Sequence, residues 1–174
     1  ARYVLHNLDY AVKQTLHNKR TALVTGPLNK EIIISIDKKF TGHTEYIQKI
    51  TKSNGVLMML ASDQLRVALA TTHIPIKDVA KTITKELIIN KVKILNNDLK
   101  TKFNIKNPHI KVLGLNPHAG DGGYIGKEEN EIIEPVITKL IEKGLNLKGP
   151  ISADTAFIEK NEKIKADSFI AMFH

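Results

Sequence analysis

Cysteine is absent from the 174 residues, which excludes a disulfide framework and any thiolate chemistry. Arginine is scarce. Apart from Arg2, Arg20 and Arg66, all of the 26 basic side chains are lysines. They are spread along the chain and not interleaved with aromatics, so the formal charge of +8 is a poor nucleic-acid footprint. It suits attraction to a phosphorylated or carboxylated small molecule equally well. No apolar run approaches a membrane span, and no basic region precedes an apolar core at the start. A cytoplasmic protein without a membrane or nucleic-acid partner is expected. There is no P-loop, and no G-x-G-x-x-G follows a strand pattern, so a Rossmann cofactor site is unsupported. A polar tail is also missing at both ends, which suggests part of a longer polypeptide.

The most informative stretch is residues 112–126, VLGLNPHAGDGGYIG. An apolar run ends in Asn116-Pro117 and is followed by His118, Asp121, several glycines and an acidic helix start. That order suits a strand delivering polar groups to its carboxyl end, with a loop closing around them. The alternative is an ordinary strand-to-helix connection with a solvent-facing histidine. His73 stands in the same relation to the run 65–71, and His174 to the run 168–172. Histidines at the ends of different strands can converge for metal or proton-transfer chemistry, which a hydrophobic core does not require. With Asp154 they form a donor set suited to a borderline divalent metal. Asp154 reads equally well as a helix N-cap.

The rest of the chain alternates short β-rich runs with helical patterns. Asn7 can cap a helix whose apolar stripe is Leu8, Ala11, Val12 and Leu16. Residues 21–25 read as a buried strand before Gly26-Pro27, and Lys30 beyond it could meet an anion. Residues 32–36 are β-rich but fit no single state. Thr41 or Gly42 can cap a short helix through Ile50, with His43 and Thr44 in its first turn. Free N–H groups there favour a phosphate or carboxylate, although a plain helix start explains the same residues. Residues 56–61 read as a strand covered on both faces, joined to 65–71 by a polar turn at residues 62–64. Thr84 is the expected cap of a helix burying Leu87, Ile88, Val92, Leu95 and Leu99, with Ile83 and Ile88 as a staple. Glu128, Glu129 and Glu131 crowd the next helix start, where carboxylates favour the dipole. Its buried side is Ile133, Val136, Ile137, Leu140 and Ile141, with a kink or restart at Pro135. The expected architecture is α/β, with a mixed, largely parallel sheet and flanking helices. Runs 21–25, 56–60, 65–71, 110–115 and 168–172 are expected to share that sheet.

Taken in order, LVTGPLNK (23–30), FTGHTE (40–45), MMLA (58–61), LRVALATTHIP (65–75), DLKTKF (98–103), LGLNPHAGDGGYIGKEE (113–129), GPISADTAF (149–157) and AMFH (171–174) resemble the 4-hydroxythreonine-4-phosphate dehydrogenase family of vitamin B6 biosynthesis. The resemblance implies an isocitrate/isopropylmalate dehydrogenase-like fold and a homodimer with its active site in a cleft at the interface. His73, His118 and His174 match the family's metal-binding histidines, with His73 and His118 expected as neighbours and His174 supplied across the interface by the second protomer, and Asp154 matches an aspartate beside the metal. His43 and Thr44 match the residues that hold the phosphorylated substrate. The resemblance implies NAD or NADP and a divalent zinc, cobalt or magnesium ion. It also implies oxidation and decarboxylation of 4-phosphohydroxy-L-threonine to 3-amino-2-oxopropyl phosphate. No residue is assigned as the proton-transfer base, and no cofactor-binding residue is assigned. Asp121 stands where many relatives have glutamate, and Phe173 where many have tyrosine.

By the same resemblance, residues 1–174 are the central part of a longer two-domain chain. Family members continue past His174 with further substrate- and nicotinamide-binding residues. Isolated, these 174 residues are expected to lack catalysis. Two other functions fit the residues: a dehydrogenase of threonate or erythronate 4-phosphate, and a non-catalytic metal- or anion-binding module.

Overall fold

The computed structural model describes residues 1–18, 20–38, 40, 42–158 and 166–174. It divides into two compact units, Ala1–Val56 and Leu57–His174.

The first unit is helical: α1 (Arg2–His17), α2 (Lys30–Ile34) and α3 (His43–Thr51). Helix α1 starts five residues before the expected cap Asn7, which lies inside it. Leu8 and Val12 are buried as expected, but Leu16 is exposed. Residues 21–25 form no strand. Val24 is 91% exposed and the run joins no ladder among the described residues, and β propensity alone makes no strand. Residues 32–36 resolve toward helix because the Asn29 side chain accepts a hydrogen bond from Ile32 N–H and caps α2. Tyr46 of α3 donates to Asp9 Oδ1 of α1 at 2.8 Å. Burial, and then Asp9, push the Tyr46 phenol up to about 12. This contact fixes the helix whose first turn carries His43 and Thr44.

The second unit contains β1 (Met58–Ala61), β2 (Arg66–Leu69), α4 (Ile76–Thr82), α5 (Lys85–Thr101), β3 (His109–Leu113), α6 (Glu134–Glu142), β4 (Asn146–Ile151) and β5 (Ser168–Ala171). The five strands make one sheet in the order β1-β2-β5-β3-β4. β1 pairs antiparallel with β2, whereas β2–β5, β5–β3 and β3–β4 are all parallel. The sheet is therefore mixed and largely parallel, as the alternating pattern implies. The β1–β2 hairpin closes at Ser62, whose Oγ accepts from Leu65 N–H at 3.2 Å. β1 is an edge strand with exposed outer residues and is not covered on both faces. β4 is missed from the sequence because Gly149-Pro150 reads as a breaker. Proline is tolerated there because β4 is the opposite edge. A Cβ on Gly149 would lie 2.4 Å from Val112 O, so only glycine lets β4 approach β3 this closely.

One sheet face carries the main core. Ile88, Val92, Leu95 and Leu99 of α5 are fully buried against Ala68, Ile110, Val112 and Ile170. Each such aliphatic side chain contributes about 1.5–3 kcal/mol. The Thr84 hydroxyl accepts from Leu87 N–H at 3.2 Å, and Ile83 and Ile88 are both buried, giving the expected cap and staple. A π-helical turn, Glu129–Ile133, precedes α6, which restarts with Pro135 in its first turn. Ile133, Val136, Ile137 and Leu140 are buried, but Ile141 lies at the stripe's margin and is exposed. Among the described residues no helix is long and apolar enough to cross a membrane.

The Thr84→Ala substitution in the full-length protein should lower unfolding free energy by about 1 kcal/mol, read as a lower urea midpoint at unchanged slope. An unchanged midpoint would show that the cap contributes nothing.

Candidate functional site

Four strands, β2, β5, β3 and β4, run parallel, so their carboxyl ends share one sheet edge. Each is followed by one of the four residues singled out from sequence: His73, His174, His118 and Asp154. Their spatial order follows strand order. Beyond β2 and β5 the ladder continues, with Thr71 N–H donating to Met172 O at 3.1 Å and Thr71 Oγ1 to the same oxygen at 2.7 Å. This carries His73 and His174 of the same chain to ring centroids 6.1 Å apart, edge to face. Beyond β3 and β4, His118 Nδ1 lies 3.2 Å from Asp154 Oδ2.

The expected neighbours were His73 and His118, with His174 supplied by a second protomer. The structure instead pairs His73 with its own chain's His174, because β5 intervenes between β2 and β3. Phe173 lies at the divide. It lines both the small cavity of about 100 Å³ beside His73 and His174 and the larger one of about 380 Å³ beside His118 and Asp154.

The two pairs are chemically suited to an ion. Both rings of the first pair are exposed, and neutral imidazole nitrogen is a common ligand of divalent metals. In the second pair, Nδ1–H donated to Asp154 leaves Nε2 as the free lone pair, the usual way a carboxylate sets a metal-binding histidine. The Ser152 hydroxyl donates to Asp154 Oδ1. That bond first, and His118 after it, hold the Asp154 carboxyl below its usual range, so it stays an acceptor. The donor set of three imidazoles and a carboxylate fits zinc, cobalt or magnesium to differing degrees. Among the described residues no three histidine, aspartate or glutamate side chains of this chain enclose a single point.

The loop bearing His118 has an unusual backbone. Residues 118–122 are all left-handed, with φ of 53° at His118, 55° at Ala119 and 45° at Asp121. Each non-glycine residue there costs about 1–2 kcal/mol. His73 is also left-handed, at φ 56°. Strain of this kind persists only where surroundings over-determine it, and it concentrates at functional sites.

What over-determines the loop is Glu129. It is 1% exposed. Its Oε1 accepts from Leu115 N–H at 2.7 Å and Asn116 N–H at 2.8 Å, and its Oε2 from Asn116 Nδ2 at 2.9 Å. Burial pushes this carboxyl up, but the Asn116 side chain and the backbone N–H groups outweigh it and hold the pKa below the usual 4.5. A Cβ on Gly120 would sit 2.7 Å from Glu129 Oε2, and one on Gly114 would sit 2.8 Å from Ala119 Cα. The glycines are thus spacing devices for the carboxylate. From the sequence Glu129 reads only as a dipole charge. The overlooked signal is its phase, four residues before Ile133 on the buried stripe.

In the first unit, His43 and Thr44 open α3 behind Gly42, half-buried. Thr41, the other expected cap, lies outside the described residues. A Cβ on Gly42 would be 3.9 Å from Lys30 Nζ and 3.1 Å from Glu45 Oε2, a buried oxygen with no hydrogen-bond partner among the described residues.

The family model for the pyridoxal phosphate biosynthetic protein PdxA matches residues 1–174. The chain belongs to this family. It is 48% identical over 174 residues to a 4-hydroxythreonine-4-phosphate dehydrogenase of Thioalkalivibrio sulfidiphilus, covering 100% of this chain and 52% of that protein. It is 46% identical over 172 residues to the enzyme of that name from an Enterobacter species, covering 99% and 52%. A crystal structure of the Klebsiella pneumoniae 4-hydroxythreonine-4-phosphate dehydrogenase superposes with a TM-score of 0.86 at 31% identity, over 96% of this chain and 50% of that one. The chain thus spans about half the length of the relatives it matches. The fold is the isocitrate/isopropylmalate dehydrogenase-like one shared by these relatives.

The depressed Glu129 pKa fixes the sign of a pH effect. The carboxylate stabilises the fold above its unfolded pKa of about 4.3, and this is lost as pH falls through the folded value. The stability advantage of the native protein over Glu129→Gln should therefore be full at neutral pH and shrink as pH drops below about 4. An advantage independent of pH between 7 and 3 in denaturant titrations would contradict it.

Proposed function

We propose that the full protein of which these residues are part is a metal-dependent 4-hydroxythreonine-4-phosphate dehydrogenase working as a cytoplasmic homodimer. The net reaction oxidises the secondary alcohol of 4-phosphohydroxy-L-threonine, with hydride leaving to NAD or NADP. Loss of carbon dioxide from the β-keto acid then gives 3-amino-2-oxopropyl phosphate. The observation that carries this reading is the row of His73, His174, His118 and Asp154 along one edge of four parallel strands, in a chain whose family members bear the name of that activity.

His73, His118 and His174 would hold the divalent ion, with imidazoles drawn from both subunits. When bound, zinc, cobalt or magnesium supplies Lewis acidity that lowers the pKa of the substrate alcohol and stabilises negative charge on its oxygen. Asp154 orients His118 by accepting from Nδ1, and Ser152 holds Asp154 in turn. His43 and Thr44 anchor the substrate phosphate: both stand in the first turn of α3, where backbone N–H groups are unsatisfied and the dipole favours an anion. Neither is proposed as the proton-transfer base. The lysine-rich charge favours a phosphorylated small molecule and, without a reading element, no nucleic acid or membrane.

The test is turnover by the full-length protein. Reduction of NAD or NADP should be much faster with 4-phosphohydroxy-L-threonine than with threonate or erythronate 4-phosphate, and should stop on chelation. His43→Ala should raise KM and weaken phosphate inhibition about tenfold or more. Preference for the sugar-acid phosphates would reassign the substrate. Metal and phosphate binding without any nicotinamide reduction would make the protein a binding module.

A further inference from the structure

Among the described residues of the second unit, the most deeply buried charged side chain takes no part in the reaction described above. Glu129 touches neither histidine pair. It is buried beneath the loop that follows β3, and the three hydrogen bonds it accepts from other described residues come from Leu115 and Asn116, which lead into the left-handed turn. Burying a carboxylate costs several kcal/mol unless its lone pairs are satisfied. A connector needs no such group, because loop N–H donors can be met by water at the surface. This carboxylate instead meets two consecutive backbone N–H groups with one oxygen and a side-chain amide with the other. Asn116 also donates to Glu128 Oε2 at 2.8 Å, which ties the loop entry to two successive residues of the following helical turn.

The consequence falls on His118. Two residues beyond Asn116, the chain enters its left-handed run, with Ala119 N–H returning to Asn116 O at 3.1 Å. Three non-glycine residues in that run oppose it sterically. With Leu115 and Asn116 fixed, the run has one starting direction, and His118 meets Asp154 at 3.2 Å. With them released, the strain favours relaxation of the loop, and the imidazole leaves its place beside Asp154.

We propose that Glu129 is a positioning residue for His118: its buried carboxylate holds the entry to the left-handed turn, and so presents the imidazole for divalent-metal binding. This rests on the reading of His118 as a metal ligand. Glu129 itself contacts neither metal nor substrate.

The experiment uses full-length protein and zinc ion alone, titrated by calorimetry into the metal-free native assembly. The set is native, His118→Ala, Glu129→Gln and Asn116→Ala. Glu129→Gln keeps the shape but turns an NH2 toward donors. It should raise the zinc Kd about tenfold to a hundredfold, while inhibition by inorganic phosphate, which reads the α3 site, stays within about twofold. Hydrogen exchange at the Leu115 and Asn116 amides should accelerate in the same variant. Asn116→Ala keeps the Glu129 bonds to the backbone and should give a smaller loss of zinc affinity in the same direction. It decides the question if Glu129→Gln does not fold. Native zinc affinity in the folded variants, whatever their melting temperatures, would overturn the positioning role. Loss of zinc binding in His118→Ala alongside native affinity in Glu129→Gln and Asn116→Ala would remove the positioning role alone. Native affinity in His118→Ala would remove the ligand reading and the positioning role together.

Discussion

A buried carboxylate accepting three hydrogen bonds beneath a left-handed loop is the constraint on which the second unit's geometry turns. Glu129 satisfies Leu115, Asn116 and its own charge at once, and Gly114 and Gly120 are spaced to let it in. Charge-assisted bonds of this kind contribute about 1.5–3 kcal/mol each, comparable to the cost of the left-handed residues it faces. The balance explains why a strained backbone can persist at the end of a well-packed strand. It also explains why an exposed imidazole two residues further on has a fixed neighbour.

The sheet sets the rest. Parallel strands deliver all their carboxyl ends to one edge, and this is where open α/β sheets place their chemistry. Here the order β2-β5-β3-β4 converts three sequence-distant histidines and an aspartate into a row. Adjacent strands make adjacent pairs, so His73 meets His174 and His118 meets Asp154. The division into two pairs with Phe173 between them accords with a site completed by a second subunit, the arrangement proposed for the family member as a whole. Helix α3, held by Tyr46 to α1, carries His43 and Thr44 in its first turn, the residues proposed to anchor the phosphate.

Much of this could be read from the residues. Strong periodicity located α5 and its cap, because Thr84, Ile83 and Ile88 are local signals that tertiary context did not override. The strand-end histidines were legible because each follows an apolar run. Four things were not. Residues 21–25 look like a strand, but no partner strand is present among the described residues of their unit, and pairing is non-local information. β4 hid behind Gly149-Pro150, whose tolerance depends on being at the edge. The neighbour of His73 depends on strand order, which sequence spacing does not encode. Glu129 was visible only as one of three acidic residues at a helix start, since burial of a charge becomes legible once its partners are known.

The central claim is that these strand ends form a metal site. Crystals of the full-length protein in its native assembly, soaked in zinc and measured at the zinc absorption edge, test it most directly. The account predicts an anomalous peak coordinated by imidazole nitrogens of His73, His118 and His174 at about 2.0–2.1 Å. A peak elsewhere, with those imidazoles turned away from one another, would contradict it.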